Sequence, residues 1–182
     1  MRLFSVAKAV ARNLLEFAAL FALWWALLRA IQQQWASPQA LLGSVLALAA
    51  AKTLFFGIEN IRQLQRASAE NIPYHKFLLL MLMNVGQVIT SFGLDYHLLH
   101  LLDRASFGNS ISGELAGASL VFEFFYYSAL NFMFFGYGDI TPQTIPAKLL
   151  TLGEITLAFV TVIFLLSDFI SLKESIRRPP SS

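Results

Sequence analysis

Four long apolar stretches constrain this chain more than any other feature. They cover residues 14–31, 39–58, 77–102 and 147–172. About 20 mostly apolar residues cross a hydrocarbon core of about 30 Å, and a backbone in lipid must satisfy its own hydrogen bonds. Four membrane-spanning helices are therefore expected. Composition agrees: 57% of the 182 residues are hydrophobic and 13% are charged, where a soluble domain carries about 25% charged residues. The fold class expected is an all-α membrane protein. The absence of Cys excludes a disulfide framework and a thiolate metal site. A net charge of +2 is too small to indicate nucleic acid.

A fifth apolar stretch, 120–135, is only 16 residues long and runs into Gly136-Tyr137-Gly138-Asp139. That length suits a re-entrant helix between the third and fourth spans. The first apolar stretch has basic residues before it, as a signal peptide does. Glu16 near its start and Leu27-Leu28-Arg29-Ala30 at its end lack the cleavage pattern, so it is expected to be retained.

Lysine and arginine placement gives an orientation. With four spans, Arg2, Lys8, Arg12, Lys52, Arg62, Arg66, Lys76, Lys173, Arg177 and Arg178 fall on one side, ten of the 13. Arg29, Arg104 and Lys148 fall on the other. Both termini are expected in the cytoplasm, in a multi-pass inner (cell) membrane protein, with the GYGD turn facing outward. Lys52 is expected to snorkel to the cytoplasmic interface from within the second span. Residues 1–13 read as a basic lead on the inner surface, 32–38 as an outer loop, 59–75 as a polar connector that extends the helix as far as a break at Pro73, and 103–117 as an outer turret. The chain divides into residues 1–76, with the lead, two spans and connector, and 77–182, which hold the re-entrant segment.

Around the turn the residues form a larger pattern. Tyr126-Tyr127-Ser128, Gly136-Tyr137-Gly138-Asp139, Thr141-Pro142, Thr144 and Ala147-Lys148 stand in order between two apolar spans. Over about 118–172 this resembles the pore segment of potassium channels, most closely the short bacterial members with one pore loop. The resemblance implies a cation channel that conducts passively. Its selectivity filter would comprise Phe134, Phe135, Gly136, Tyr137, Gly138 and Asp139, with backbone carbonyls replacing the water around the ion. Glycines permit the backbone conformations that turn successive carbonyls to one axis. A helix C-terminus aimed at the pore favours a cation. Support is expected from Glu123 near the helix start, from Tyr126 and Tyr127 as part of an aromatic cuff, and from Ser128.

One loop per chain implies a homotetramer in the lipid bilayer. No cofactor is expected beyond potassium or another monovalent cation as the permeant ligand. The pattern departs from the family at one place: Phe134-Phe135 stands where the family has Thr-Val. Phe134 offers no hydroxyl to an ion. Phe135 should project behind the filter and require room, which Ser128 and Ala129 would supply. A non-conducting pore-fold scaffold, or a subunit that binds an unknown membrane partner, is the alternative function.

Glu154, Thr161 and Asp168 form a polar stripe on the last span. It reads equally as inner-pore lining or as packing between subunits. Asn84, Gln87, Ser91 and Asp95 share one face of the third span, which should turn toward protein. Asp95, His97, His100 and Asp103 gather at the end of that span. They could hold a metal or serve a membrane enzyme, but polar residues at a helix end are the plainer reading. No catalytic motif accompanies them, so the chain is expected not to be an enzyme.

Overall fold

The computed structural model describes residues 2–70, 74–109, 117–136 and 138–177, with side chains described over 11–62, 78–108, 117–136 and 138–166. Five α-helices make up nearly all of it: α1 (Arg2–Gln32), α2 (Pro38–Glu70), α3 (Tyr74–Leu102), α4 (Ala118–Phe132) and α5 (Ile145–Arg177). Portions of α1, α2, α3 and α5 are long and apolar enough to cross a membrane, at Ala11–Gln32, Pro38–Arg62, Leu78–Leu102 and Ile145–Leu166. α4 has 15 residues, about 22 Å at 1.5 Å per residue, too short for a span. The protein is thus an all-α membrane protein with a short helix between its third and fourth spans.

Helix boundaries differ from the sequence expectation in physically informative ways. The basic lead is no separate segment, because α1 is continuous from Arg2. The connector, by contrast, is largely helical as expected, since α2 runs to Glu70 and α3 begins at Tyr74. The turret opens with a 3-10 turn, Arg104–Ser106, capped by the Asp103 carboxylate on the amide of Ala105 at 3.0 Å. Strand β1 (Phe107–Asn109) follows and pairs antiparallel with β2 (Ile140–Pro142), just after the GYGD turn. Phe107 is buried against Phe124, Tyr96 and Tyr127, with ring centroids 5.1, 5.7 and 5.8 Å away. This ribbon ties the end of α3 to the return limb of the turn.

α3 is the central helix, packed against α1, α2, α4 and α5. Its polar face is turned into the protein as expected: Asn84, Gln87, Ser91 and Asp95 are all buried. Gln87 donates to the Asn13 carbonyl at 3.0 Å and to Glu16 at 3.2 Å on α1, and Asn84 donates to Asn60 on α2. Arg12 reaches both Glu16, at 3.4 Å, and Glu59. Lys52 corrects its expectation. It does not snorkel but binds Asp95 at 2.5 Å inside the bundle, because α2 and α3 cross at that level. A buried charge that finds its counter-ion has no need of the interface.

The α3–α4 crossing is unusually close at Gly93. A Cβ there would lie 2.9 Å from the Phe125 Cα and 3.2 Å from its nitrogen. These are backbone atoms and cannot swing aside. Gly93→Ala is expected to push α4 outward and to cost about 1–3 kcal/mol, the usual range for overpacking. Thermal unfolding in detergent checks this; an unchanged midpoint would show that α4 gives way freely.

Candidate functional site

The site is built on the end of α4. The amide of Met133 donates to Ala129 at 3.1 Å, that of Phe134 to Asn131 at 3.1 Å, and that of Phe135 to Leu130 at 3.0 Å. The last two bonds make a Schellman cap, in which the residue after the helix turns left-handed. Glycine usually fills that position, yet here it is Phe134, at φ 59°. A bulky side chain in that region costs roughly 1–2 kcal/mol. Gly136 follows with φ 76°, which glycine adopts freely. The chain then returns past Gly138, where a Cβ would lie 3.4 Å from Leu130 Cδ1 of α4, and enters β2.

Both limbs of the turn therefore rest on the last turn of α4. Beyond β2, Gln143 donates its amide to the Ser106 carbonyl at 2.9 Å. Helix α4 ends where the turn begins, so its negative end is directed at the turn. Tyr137, the expected centre of the filter, lies outside the described residues.

A family described as ion channel matches residues 77–174, just over half the chain. The chain belongs to this ion channel family. No curated protein and no solved structure matches it. The family and the four spanning helices together identify a membrane ion-channel protein, which points away from enzymes.

In this channel chain the expected site residues divide into two groups. Phe134, Phe135, Gly136, Gly138 and Asp139 follow one another at the end of α4, all exposed on the chain. The Phe134 ring, 47% exposed, meets the Phe159 ring of α5 edge-on at 6.5 Å. Phe135 is 75% exposed. It does not enter a pocket beside Ser128 and Ala129, because the Ser128 hydroxyl is buried against Glu154 and the Ile89 carbonyl, the latter at 2.9 Å.

The aromatic pair separates as well, since adjacent residues on a helix point about 100° apart. Tyr126 is exposed, while Tyr127 is buried, its ring 4.9 Å from that of Tyr96 and its hydroxyl 3.1 Å from Thr151. Glu123 falls in the second turn of α4, because the helix begins at Ala118 and its first turn holds no acidic residue. The dipole effect acts within the first turn, so Glu123 does not carry the role expected of it.

The polar stripe on α5 is corrected too. Glu154 and Thr161 are turned into the helix bundle and are buried there, not presented on an exposed wall. Thr161 accepts from Asn60 of α2 at 2.7 Å. Glu154 faces α3 and α4, accepting from Tyr96 at 2.6 Å, from Ser128, and from Asn131 at 3.5 Å. Asp168 belongs to α5, but its side chain lies outside those described.

Asp95, His97, His100 and Asp103 do not share one site, although both histidine rings pack on Phe124. Asp95 binds Lys52, His97 packs on Trp24 at 5.8 Å, His100 packs on Phe124 at 5.4 Å, and Asp103 caps the 3-10 turn. Among the described residues no three metal-ligating side chains of His, Cys, Asp or Glu converge. Sequence reasoning missed Tyr96, Asn131 and Phe107. A tyrosine or an asparagine in an apolar helix gives no sign of its partner until the helices are packed. The lone Glu154 within an apolar run was the one available signal that a donor set existed.

Proposed function

We propose that this protein conducts monovalent cations, potassium foremost, through a pore formed where four copies bring their 134–139 turns to one axis. One observation carries the reading: a short helix ends in a capped left-handed turn that leads directly into Gly136, between two spanning helices. That arrangement directs a helix C-terminus at the turn, which suits a cation, and the backbone carbonyls of four such turns would replace the water around it.

Four-fold assembly follows from there being one such turn per chain. An exposed apolar face on α5 is open to lipid or to a neighbouring copy. Ile145, Leu149, Leu152, Phe159, Ile163 and Leu166 recur at steps of three, four and seven, the spacing of a helix seam. Both termini lie in the cytoplasm of the inner membrane in this reading, in keeping with the basic-residue asymmetry.

Purified protein in planar bilayers tests the function. Cation current with potassium favoured over sodium is the expected result, and cross-linking in mild detergent should reach four chains. A species no larger than a dimer, or silence from an intact tetramer, would reject conduction. Silence would favour the second reading, a non-conducting pore-fold scaffold, which is motivated by the exposed Phe134 and Phe135 rings. A reporter fused after Ser182 should be active only inside the cell.

A further inference from the structure

A carboxyl group within a spanning helix is expensive, and such residues mark function more often than packing. Glu154 is fully buried near the middle of the spanning part of α5, Ile145–Leu166, at 0% exposure. Its partners come from two other helices. Oε2 accepts from the Tyr96 hydroxyl of α3 at 2.6 Å and from the Asn131 amide of α4 at 3.5 Å. Oε1 meets the Ser128 hydroxyl of α4, which also lies 2.9 Å from the Ile89 carbonyl of α3. Two oxygens with several lone pairs can serve donors on two helices at once, which neither an amide nor a hydroxyl does as fully.

We infer that Glu154 is a positioning residue for the ion pathway, holding the last turn of α4 and through it the two limbs of the following turn, Phe134-Phe135 and Gly138. The connection is short. Asn131 places its side chain toward Glu154 while its carbonyl caps the amide of Phe134 at 3.1 Å. The preceding carbonyl, of Leu130, caps Phe135 at 3.0 Å. The Leu130 side chain supports Gly138 on the return limb. One helical turn thus sets both limbs, and Glu154 fastens that turn to α3 and α5 from behind. This inference rests on the conduction reading for its consequence, though its geometric part does not depend on current.

The test uses the full chain with Glu154→Leu, Glu154→Gln and Tyr96→Phe, and two readouts. The first is amide hydrogen exchange at Phe134 and Phe135, compared with amides of α1 and α2 in the same sample. Glu154→Leu should speed exchange at the two capping amides by about tenfold relative to α1 and α2, the order of effect of one lost hydrogen bond to a charged or strongly polar group. Glu154→Gln keeps one acceptor and should recover part of the protection. Tyr96→Phe should show a smaller change in the same direction.

The second readout is the potassium-over-sodium permeability ratio in bilayers, which should fall in the same order. Exchange that rises uniformly over all helices would mean a general packing role and overturn the inference. So would faster capping exchange with an unchanged permeability ratio. A silent parent whose capping amides respond as expected would reject conduction while leaving the positioning of the turn intact.

Discussion

Phe134→Gly will conduct potassium at least about tenfold better than the parent, the gain that lowering a barrier by about 1.4 kcal/mol brings. The phenylalanine occupies a left-handed cap position at φ 59° and stands half-exposed at the entrance to the turn. Its ring cannot coordinate an ion, and desolvating a charge without compensation costs several kcal/mol (about 3–5 for an unpaired buried charge). Glycine removes the ring and suits the backbone, returning roughly 1 kcal/mol of conformational strain. The lost edge contact with Phe159 is worth about 0.5–1.5 kcal/mol. The two nearly cancel, so folding and assembly should be unchanged.

The family's own pair, Phe134→Thr with Phe135→Val, should also raise potassium conductance and selectivity, but less. Threonine is β-branched and poorly suited to φ 59°, so its turn must rearrange first. Bilayer currents alongside native mass measurement decide the matter. A Phe134→Gly protein that assembles normally yet conducts no better than the parent would show that the ring does not obstruct the path.

Removing either Lys52 or Asp95 alone will destabilise the protein by about 3–5 kcal/mol, because each leaves the other charge buried and unpaired. The pair meets at 2.5 Å, with the lysine and aspartate side chains 16% and 5% exposed. Lys52→Met with Asp95→Leu removes both charges, and an apolar pair of similar bulk is often neutral in such a place. The double variant should therefore be more stable than either single one, against the sum that independent sites would give. Thermal or denaturant unfolding of the four proteins in detergent measures this directly. Additive losses would mean that the two charges act separately and that Lys52 reaches the membrane interface after all.

The sequence by itself determined the spans, the short helix and the turn. Each is a one-dimensional property: a run of apolar residues matched to membrane thickness, a run too short for it, and glycines where the backbone must turn. It also determined that the face of α3 bearing Asn84, Gln87, Ser91 and Asp95 would be buried, since i, i+3, i+7 and i+11 fall on one side of a helix. The tertiary structure alone decided which groups those faces meet. Lys52 was expected at the interface and found Asp95, 43 residues away. Glu154 was a candidate for the pore wall and turned instead to Tyr96 and Ser128. The ribbon of β1 and β2 joins Phe107 to Pro142 across the whole of α4. Periodicity fixes the side of a helix a residue occupies, but helix rotation and crossing depend on packing at points such as Gly93, where one missing Cβ lets two backbones touch. Those contacts are non-local, and no spacing within a single helix encodes them.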